Sequence, residues 1–432
     1  MNQSTNARWL HRFAVFTALA TLALIGIGGL VTSHEAGMSV PDWPNSYGYN
    51  MFLFPPSKWI GGILYEHTHR LWASFVGLLV IALTRWLGGQ KSRKPLAIVG
   101  LIEVLAGIAI FVIWPNEKAT GGFLTGIGGM VLLAALVWVR GEAAPRPLPM
   151  LGWITFFIVQ LQGLLGGLRV VLYKDQIGIF HGTLAQIFFV LTCLIALMTS
   201  KWWNQMLLTQ HGLPRRSAAK AGARNTQQPL IPSVSTLQKL IFATTTLILF
   251  QLILGATMRH QHAGLSISDF PLAHGKLWPD TDPASIALYN AHRVEISGIN
   301  PITAFQVQLQ MVHRIVAMLI LVAVGCCAWQ AWRKVPGPLA KISAFWICLI
   351  VCQATLGAAT ILTDKAADVA TLHVLVGALS LATGSALSII ALRFPQCAAG
   401  VSPAEAVSKR QPAMDLDEVA DMGTAGKMPA AH

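Results

Sequence analysis

The chain has 432 residues, 54% of them hydrophobic and only 11% charged, with a mean hydropathy of +0.57. That balance excludes a set of ordinary soluble domains and points to a polytopic membrane protein. The net charge of +13 then speaks for positive cytoplasmic loops rather than for nucleic acid.

Met1 to Arg12 shows no short apolar stretch with a small-residue cleavage site, and reads as a retained cytoplasmic tail. A helix needs about 20 apolar residues to cross a bilayer. Ten segments qualify: 12–32, 60–87, 95–114, 120–140, 150–172, 178–199, 236–258, 306–332, 338–363 and 367–393. With the N-terminus inside, the cytoplasmic connections gather Lys91, Arg93, Arg140, Arg146, Lys201, Arg215, Arg333 and Lys341. The outer loops carry mostly acids, among them Glu35, Asp42, Asp175 and Asp269. The positive-inside rule thus gives N-in and C-in. Segments 200–235 and 395–432 are polar and rich in Ala, Pro and Gly, the composition of a flexible linker and tail. The six cysteines include no CxxC, which argues against a disulfide framework or a zinc site.

The sequence repeats itself. "VTSHEAGMSVPDWP" (31–44) aligns without gaps with "MRHQHAGLSISDFP" (258–271). "EHTHRLWASFVGLLV" pairs with "QMVHRIVAMLILV", setting His69 against His313. "QGLLGGLRVVL" from Gln162 pairs with "QATLGAATILT" from Gln353, and His181 and His373 follow 19 and 20 residues later. Four landmarks in one order imply a duplication, with four core helices in each half. The predicted fold is all-α: two pseudo-repeated four-helix bundles, related by an axis along the membrane normal, with an inserted helical hairpin at 95–140. The N-terminal half covers 1–199 and the C-terminal half 236–394.

Ionisable groups at membrane depth mark function by default, and "YEHTHRLWASF" (65–75) holds Glu66, His67, His69 and Arg70. Successive helix residues turn by about 100°, so His67 and His69 point nearly opposite ways. The position matching His67 in the other half is Met311, whereas His69 has a histidine partner and is the expected ligand. His69, His181, His313 and His373 fall early in helices that begin on the same side. Two inward-facing histidines on neighbouring helices suit the axial ligation of haem iron. The plainer reading is that each is polar glue between helices, which a duplicated set of four makes the weaker account. Small residues beside them (Ala73, Gly182, Thr183, Ala317 and Gly377) leave room for a flat macrocycle. Glu66 corresponds to Gln310, so only the N-terminal half places an acid beside its histidine. Electron transfer needs no such acid; removing hydrogen from a methyl group needs a proton acceptor. The alternative role for Glu66 is an ion pair with Arg70. Arg70 and Arg314 are candidates for pairing with haem propionates, or for snorkelling to the interface. Glu103, in the inserted hairpin, is either part of a proton path or an acid satisfied by a neighbouring helix.

"AGMSVPDWP", "EHTHR", "QGLLGGLRV", "FHGTLAQ", "MVHR" and "TLHVLVGALS" together resemble the haem A synthase family of cytochrome oxidase assembly enzymes, from about residue 12 to 393. The resemblance implies oxidation of the ring methyl of haem O to the formyl group of haem A, through a hydroxymethyl intermediate. It implies that His313 and His373 hold a resident haem b. It also implies that His69 and His181 hold the substrate haem, with Glu66 required for catalysis. Expected partners are haem O and haem A, the lipid bilayer, and as candidates haem O synthase, oxidase assembly factors and further copies of the chain. The expected location is a bacterial inner membrane, in preference to the mitochondrial one. Relatives often carry cysteines flanking "PDWP"; here Val40 precedes it and no cysteine follows up to Lys58, so an outer-loop thiol mechanism is closed to this chain. Rival readings are a di-haem electron carrier and a haem carrier or transporter.

Overall fold

The computed structural model describes residues 3–137, 142–210, 235–292, 301–334 and 337–393. The helices are α1 (Gln3–Ser33), α2 (Gly62–Gly88), α3 (Arg93–Ile113), α4 (Lys118–Leu136), α5 (Leu148–Leu172), α6 (Asp175–Thr199), α7 (Lys201–Gln210), α8 (Ser235–His260), α9 (Pro283–Ala291), α10 (Ala304–Lys334), α11 (Pro338–Leu362) and α12 (Ala367–Arg393). Among the described residues, nine helical segments are long and apolar enough to cross a membrane. One of them, Gly62–Ile113, runs for 52 residues. As a single helix it would measure about 78 Å, more than twice the roughly 30 Å of hydrocarbon. It is instead two α-helices, α2 and α3, each long enough to span. The chain is a polytopic, all-helical membrane protein.

Glycine allows the reversal between those two helices. Gly89 has φ 51°, and a Cβ there would meet the Glu142 backbone at 2.8 Å. Two elements depart from expectation at the polar ends. The tail expected before residue 12 is helical from Gln3, because nothing there breaks the helix. The first part of the expected linker is α7; segment 211–234 and the tail 395–432 lie outside the described residues, as does Arg140. α9, an outer-loop helix, is capped by Asp282, which accepts from the amides of Ala284 and Ser285 with Pro283 at the first helical position.

α1, α2, α5 and α6 pack as a ring, each touching the next; α8, α10, α11 and α12 repeat the same ring. The rings meet where α12 packs on α1 and α6, and α6 on α8. The largest apolar core joins both rings through Leu83, Leu87, Ile195, Leu237, Leu339 and Leu387. These residues sit at the helix ends opposite the four histidines, so packing is closed at one end of the molecule and open at the other. Trp72 Nε1 to the Ala20 carbonyl (2.8 Å) and Trp346 Nε1 to that of Ser380 (2.9 Å) tie neighbouring helices. Such bonds contribute about 0.6 kcal/mol each in a bilayer.

The hairpin α3–α4 is drawn together by glycines. A Cβ on Gly100 would lie 2.8 Å from the Gly128 carbonyl oxygen, and one on Gly121 2.7 Å from that of Gly107. Small residues at such crossings let backbones touch where no hydrophobic force distinguishes helix from lipid. Arg85, 3% exposed, fastens the hairpin to α2 by donating to the carbonyls of Ala134, Val137 and Gly89.

Candidate functional site: four histidines around one cavity

At the open end lies a cavity of about 1970 Å³, larger than the roughly 300–1,000 Å³ of ordinary small-molecule pockets. Its wall takes residues from both rings and from α4, and includes His69, His181, His313 and His373. Each histidine stands within the first three turns of its helix, respectively α2, α6, α10 and α12. The His69 and His181 ring centres are 6.4 Å apart and the rings are inclined at 77°. Two metal–nitrogen bonds of about 2.0–2.1 Å plus the two ring radii cover about the same span. The N-terminal pair thus brackets a space the width of one metal ion with its two imidazoles.

All four rings rest on glycine. A Cβ on Gly28 would come within 3.0 Å of His69 Cε1, and one on Gly255 within 3.3 Å of His313 Cε1. A Cβ on Gly166 would approach His181 Cε1 at 3.4 Å, and one on Gly357 His373 Cε1 at 3.1 Å. Gly28 and Gly255 are matched positions of the repeat, as are Gly166 and Gly357. The neighbouring helix in each case offers bare backbone, which fixes the ring's orientation without filling the cavity. Of the small residues named from sequence as room-makers, Ala73, Gly182, Ala317 and Gly377 line the cavity and Thr183 does not, and the four glycines on the neighbouring helices are what the rings touch. The repeat alignment already contained that signal.

Nδ1 of all four histidines is buried with no hydrogen-bond partner among the described residues. With no accessible surface, Nδ1 is out of reach of anything in the cavity, which leaves Nε2 as the ring nitrogen to present to an occupant. Glutamines approach the same rings: Gln162 Nε2 donates to the His181 carbonyl (3.0 Å) and Gln251 Nε2 to that of His313 (2.9 Å). Gln353 Nε2 lies 3.3 Å from His373 Nε2. No three His, Cys, Asp or Glu side chains converge among the described residues, so the imidazoles are offered in pairs. Paired imidazoles, apolar walls and glycine floors fit a haem.

His67 points elsewhere. It is fully buried, with Nδ1 3.1 Å from Ser46 Oγ and its ring between Phe54 and Trp59, away from the cavity. Its counterpart Met311 packs in an apolar cluster with Ala273, the counterpart of Ser46.

The outer loops over the two rings share most of their hydrogen bonds. Asp42 accepts from the amides of Tyr47 and Gly48, and Asp269 from those of His274 and Gly275. Tyr47 Oη donates to the Ser39 carbonyl, and His274 Nε2 lies 3.0 Å from that of Ser266. Outside the membrane spans, burial opposes ionisation of Asp269, yet the Gly275 and His274 amides hold its carboxyl below the usual value. Glu66 Oε2 accepts from the Val40 amide at 2.8 Å; Gln310 Oε1 accepts from the matching Ile267 amide at 2.8 Å. Glu66 Oε1 pairs with Arg70 at 2.7 Å. Arg70 also donates to the carbonyls of Val40, Asp42 and Asn45, and Arg314 to those of Asp269 and Leu272. Both arginines thus fasten loops, and both terminal nitrogens of Arg70 are engaged.

Three groups near the cavity were not among the residues picked from sequence as site residues: Arg169, Arg259 and His260. Each replaces a hydroxyl residue at the matched position (Thr360, Thr32 and Ser33), an asymmetry the alignment displays. Arg259 joins the halves by donating to the Gly29 carbonyl and Ser33 Oγ. Glu103 reaches the cavity wall, with Oε1 accepting from Gln160 Nε2 at 2.6 Å and Oε2 buried without a described partner.

Comparison with known proteins gives the family. A haem A synthase of Allorhizobium ampelinum is 24% identical over 382 residues, covering 86% of this chain and 87% of its own. One of Shouchella clausii is 32% identical over 105 residues, 24% of this chain and 32% of its own. The sequence profile of the cytochrome oxidase assembly proteins matches residues 122–384, more than half of the chain. With the fold, the motif order and that match in agreement, the chain belongs to the cytochrome oxidase assembly protein family that its resemblance to haem A synthases implied.

Proposed function

We propose that this protein is a haem A synthase, an oxidoreductase that converts the ring methyl of haem O into the formyl group of haem A through a hydroxymethyl stage. The observation that carries the reading is the single cavity with two glycine-seated histidine pairs and a carboxylate beside only one of them. Relatives named haem A synthase support it. His313 and His373 hold a resident haem b, which when bound supplies one-electron transfer. His69 and His181 hold the substrate haem. Taking a methyl to a formyl group removes hydrogen from the carbon at each stage, so the site needs a proton acceptor. Glu66 is the acid beside the substrate ligand. Protonation of its Oε1 requires Arg70 to let go, and Arg70 keeps three loop carbonyls to rest on when it does. The chain sits N-in and C-in in a bacterial inner membrane, taking haem O from its synthase and releasing haem A to oxidase assembly.

A di-haem electron carrier or a haem transporter would use the same four histidines but would leave the porphyrin unchanged. Mass analysis of haems extracted from the purified protein separates the readings. Haem O, its hydroxymethyl derivative or haem A alongside haem b is the expected result; haem b alone assigns the protein to the carriers.

A further inference from the structure

The cavity wall carries more positive than negative charge. Arg70, Lys118, Arg169, Arg259, Arg314 and Lys365 line it, against Glu66 and Glu103. Most of the arginines are accounted for: Arg70 by Glu66 and three carbonyls, Arg314 by two carbonyls, and Arg259 by its tie to α1. Arg169 is not. No described residue accepts a hydrogen bond from it or forms an ion pair with it, although it sits near the outer end of a membrane-crossing helix. Glu66 and Asp175 act on this half-buried guanidinium only from beyond ion-pair distance, so its donors are left for the cavity, which makes an anionic ligand the expected complement.

Its position says which ligand. Arg169 lies three residues, a little under one turn, beyond Gly166, the glycine on which His181 rests. The guanidinium lies against the outer loop: a Cβ on Gly37 would be 2.8 Å from Nη2 and 3.0 Å from Nη1. It is close enough to His69, His181 and His260 to act on all three electrostatically. His260 reaches this place from the other half, seated against Gly178 of α6, less than one turn before His181. The cation therefore stands between the N-terminal histidine pair and the mouth of the cavity. A porphyrin clasped by that pair with its carboxylate edge outward would present a propionate there.

We propose that Arg169, with His260 beside it, is the carboxylate-binding group of the N-terminal site, and that Arg70 is a loop fastener with no part in binding the propionates. The inference rests on the reading that His69 and His181 hold a haem. Guanidinium and carboxylate match as a bidentate pair. The matched residue in the other half, Thr360, spends its hydroxyl on the Leu356 carbonyl, so this clamp belongs to the N-terminal half alone.

The test is a chemical cycle on the purified full-length protein carrying its resident haem b. Iron protoporphyrin IX and its dimethyl ester are titrated into the wild type, R169Q, R169T and H69A, with the Soret band as readout. The wild type binds the free acid about tenfold or more tightly than the ester. R169Q and R169T bind both forms equally and at the ester's affinity, while unchanged haem b content shows that they are folded. R169Q or R169T that keeps the wild-type preference for the free acid overturns the assignment. H69A distinguishes the other failure: titration unaffected in H69A means that the N-terminal pair holds no haem, and the reading beneath this inference falls with it.

Discussion

In the N-terminal half the Val40 amide donates to a carboxylate, Glu66; in the C-terminal half the Ile267 amide donates to a carboxamide oxygen, Gln310. The bonds have the same length and the loops they hold share their aspartate turns and their arginine fastenings. The comparison teaches that the loop needs an oxygen at this position and not a charge. A buried charge is expensive and here requires Arg70 as counterion. Its presence in one half only is therefore evidence of a task other than holding the loop. The same comparison applies at each site where the halves diverge.

The largest divergence to test lies at His67 and His69. His69 lines the cavity, and its replacement by alanine removes an iron ligand of the proposed substrate haem. Haem A formation by H69A in a strain lacking its own synthase should fall below detection. His67 with Ser46 replaces the Met311–Ala273 contact of the other half. The double variant S46A/H67M installs that contact and should keep haem A formation within a few-fold of wild type. H67A alone leaves a hole between Phe54 and Trp59 and should cost roughly 1–3 kcal/mol of stability. Equal loss of haem A in H69A and S46A/H67M, at equal protein levels, would contradict the division of labour between the two histidines.

Next comes the acid itself. Glu66→Gln gives the N-terminal half the residue of the C-terminal half. It retains an oxygen for the Val40 amide but removes the proton acceptor. General bases contribute about 10²–10⁴-fold to rate, so the variant should fold, keep haem b and accumulate haem O or its hydroxymethyl derivative. Chromatography of extracted haems decides the matter. Haem A made at the wild-type rate would reduce Glu66 to a loop ligand that happens to carry a charge.

Much of this was legible before the fold was known. Each of the ten apolar segments became a helix, because twenty apolar residues in lipid have few other ways to satisfy their backbone. Their ends were less accurate where polar residues continue a helix, as at Gln3, or start a new one, as in α7 and α9. The repeat pointed to the four cavity histidines and to Glu66, since side chains at matched positions carry the signal directly. The Glu66–Arg70 ion pair was legible from their spacing of four, whereas the loop carbonyls that Arg70 and Arg314 hold were not, since one carbonyl looks like any other in sequence. Arg169 stands against Thr360 in the repeat, so no matched pair carries a signal for it.

Glycine gives a graded test of how closely the two histidine sites resemble each other. The clearance for an added Cβ is 3.0 Å at Gly28, 3.1 Å at Gly357, 3.3 Å at Gly255 and 3.4 Å at Gly166. Alanine at Gly28 or Gly357 should push its histidine by a few tenths of an ångström and weaken haem retention severalfold. At Gly166, where the contact is an ordinary van der Waals one, alanine should be nearly silent. Low-spin haem content of the four purified variants measures this order. Gly166→Ala as damaging as Gly28→Ala would show that the rings do not depend on the floors beneath them.

The smallest expected effect concerns the loop of the C-terminal half. Asp269 accepts from the amides of His274 and Gly275 at 2.7 and 2.9 Å. Burial opposes its ionisation, but these donors prevail and hold its carboxyl below the ordinary value of 3.8. A depressed carboxylate contributes stability that is fully present above its unfolded-state value and is lost as pH falls through the lower folded value. The loop should therefore be indifferent to pH from neutrality down to about 4 and loosen only below that. Asp269→Asn lacks the charge at every pH, so its two amides should exchange faster than wild type at neutrality, by about tenfold or less because the group is partly exposed. On acidification the wild type should converge on the variant. Hydrogen exchange at His274 and Gly275, normalised to an untouched loop amide, follows that convergence. A difference that grows as pH falls would mean that protonation strengthens the turn, which the geometry of an acceptor facing two donors does not allow.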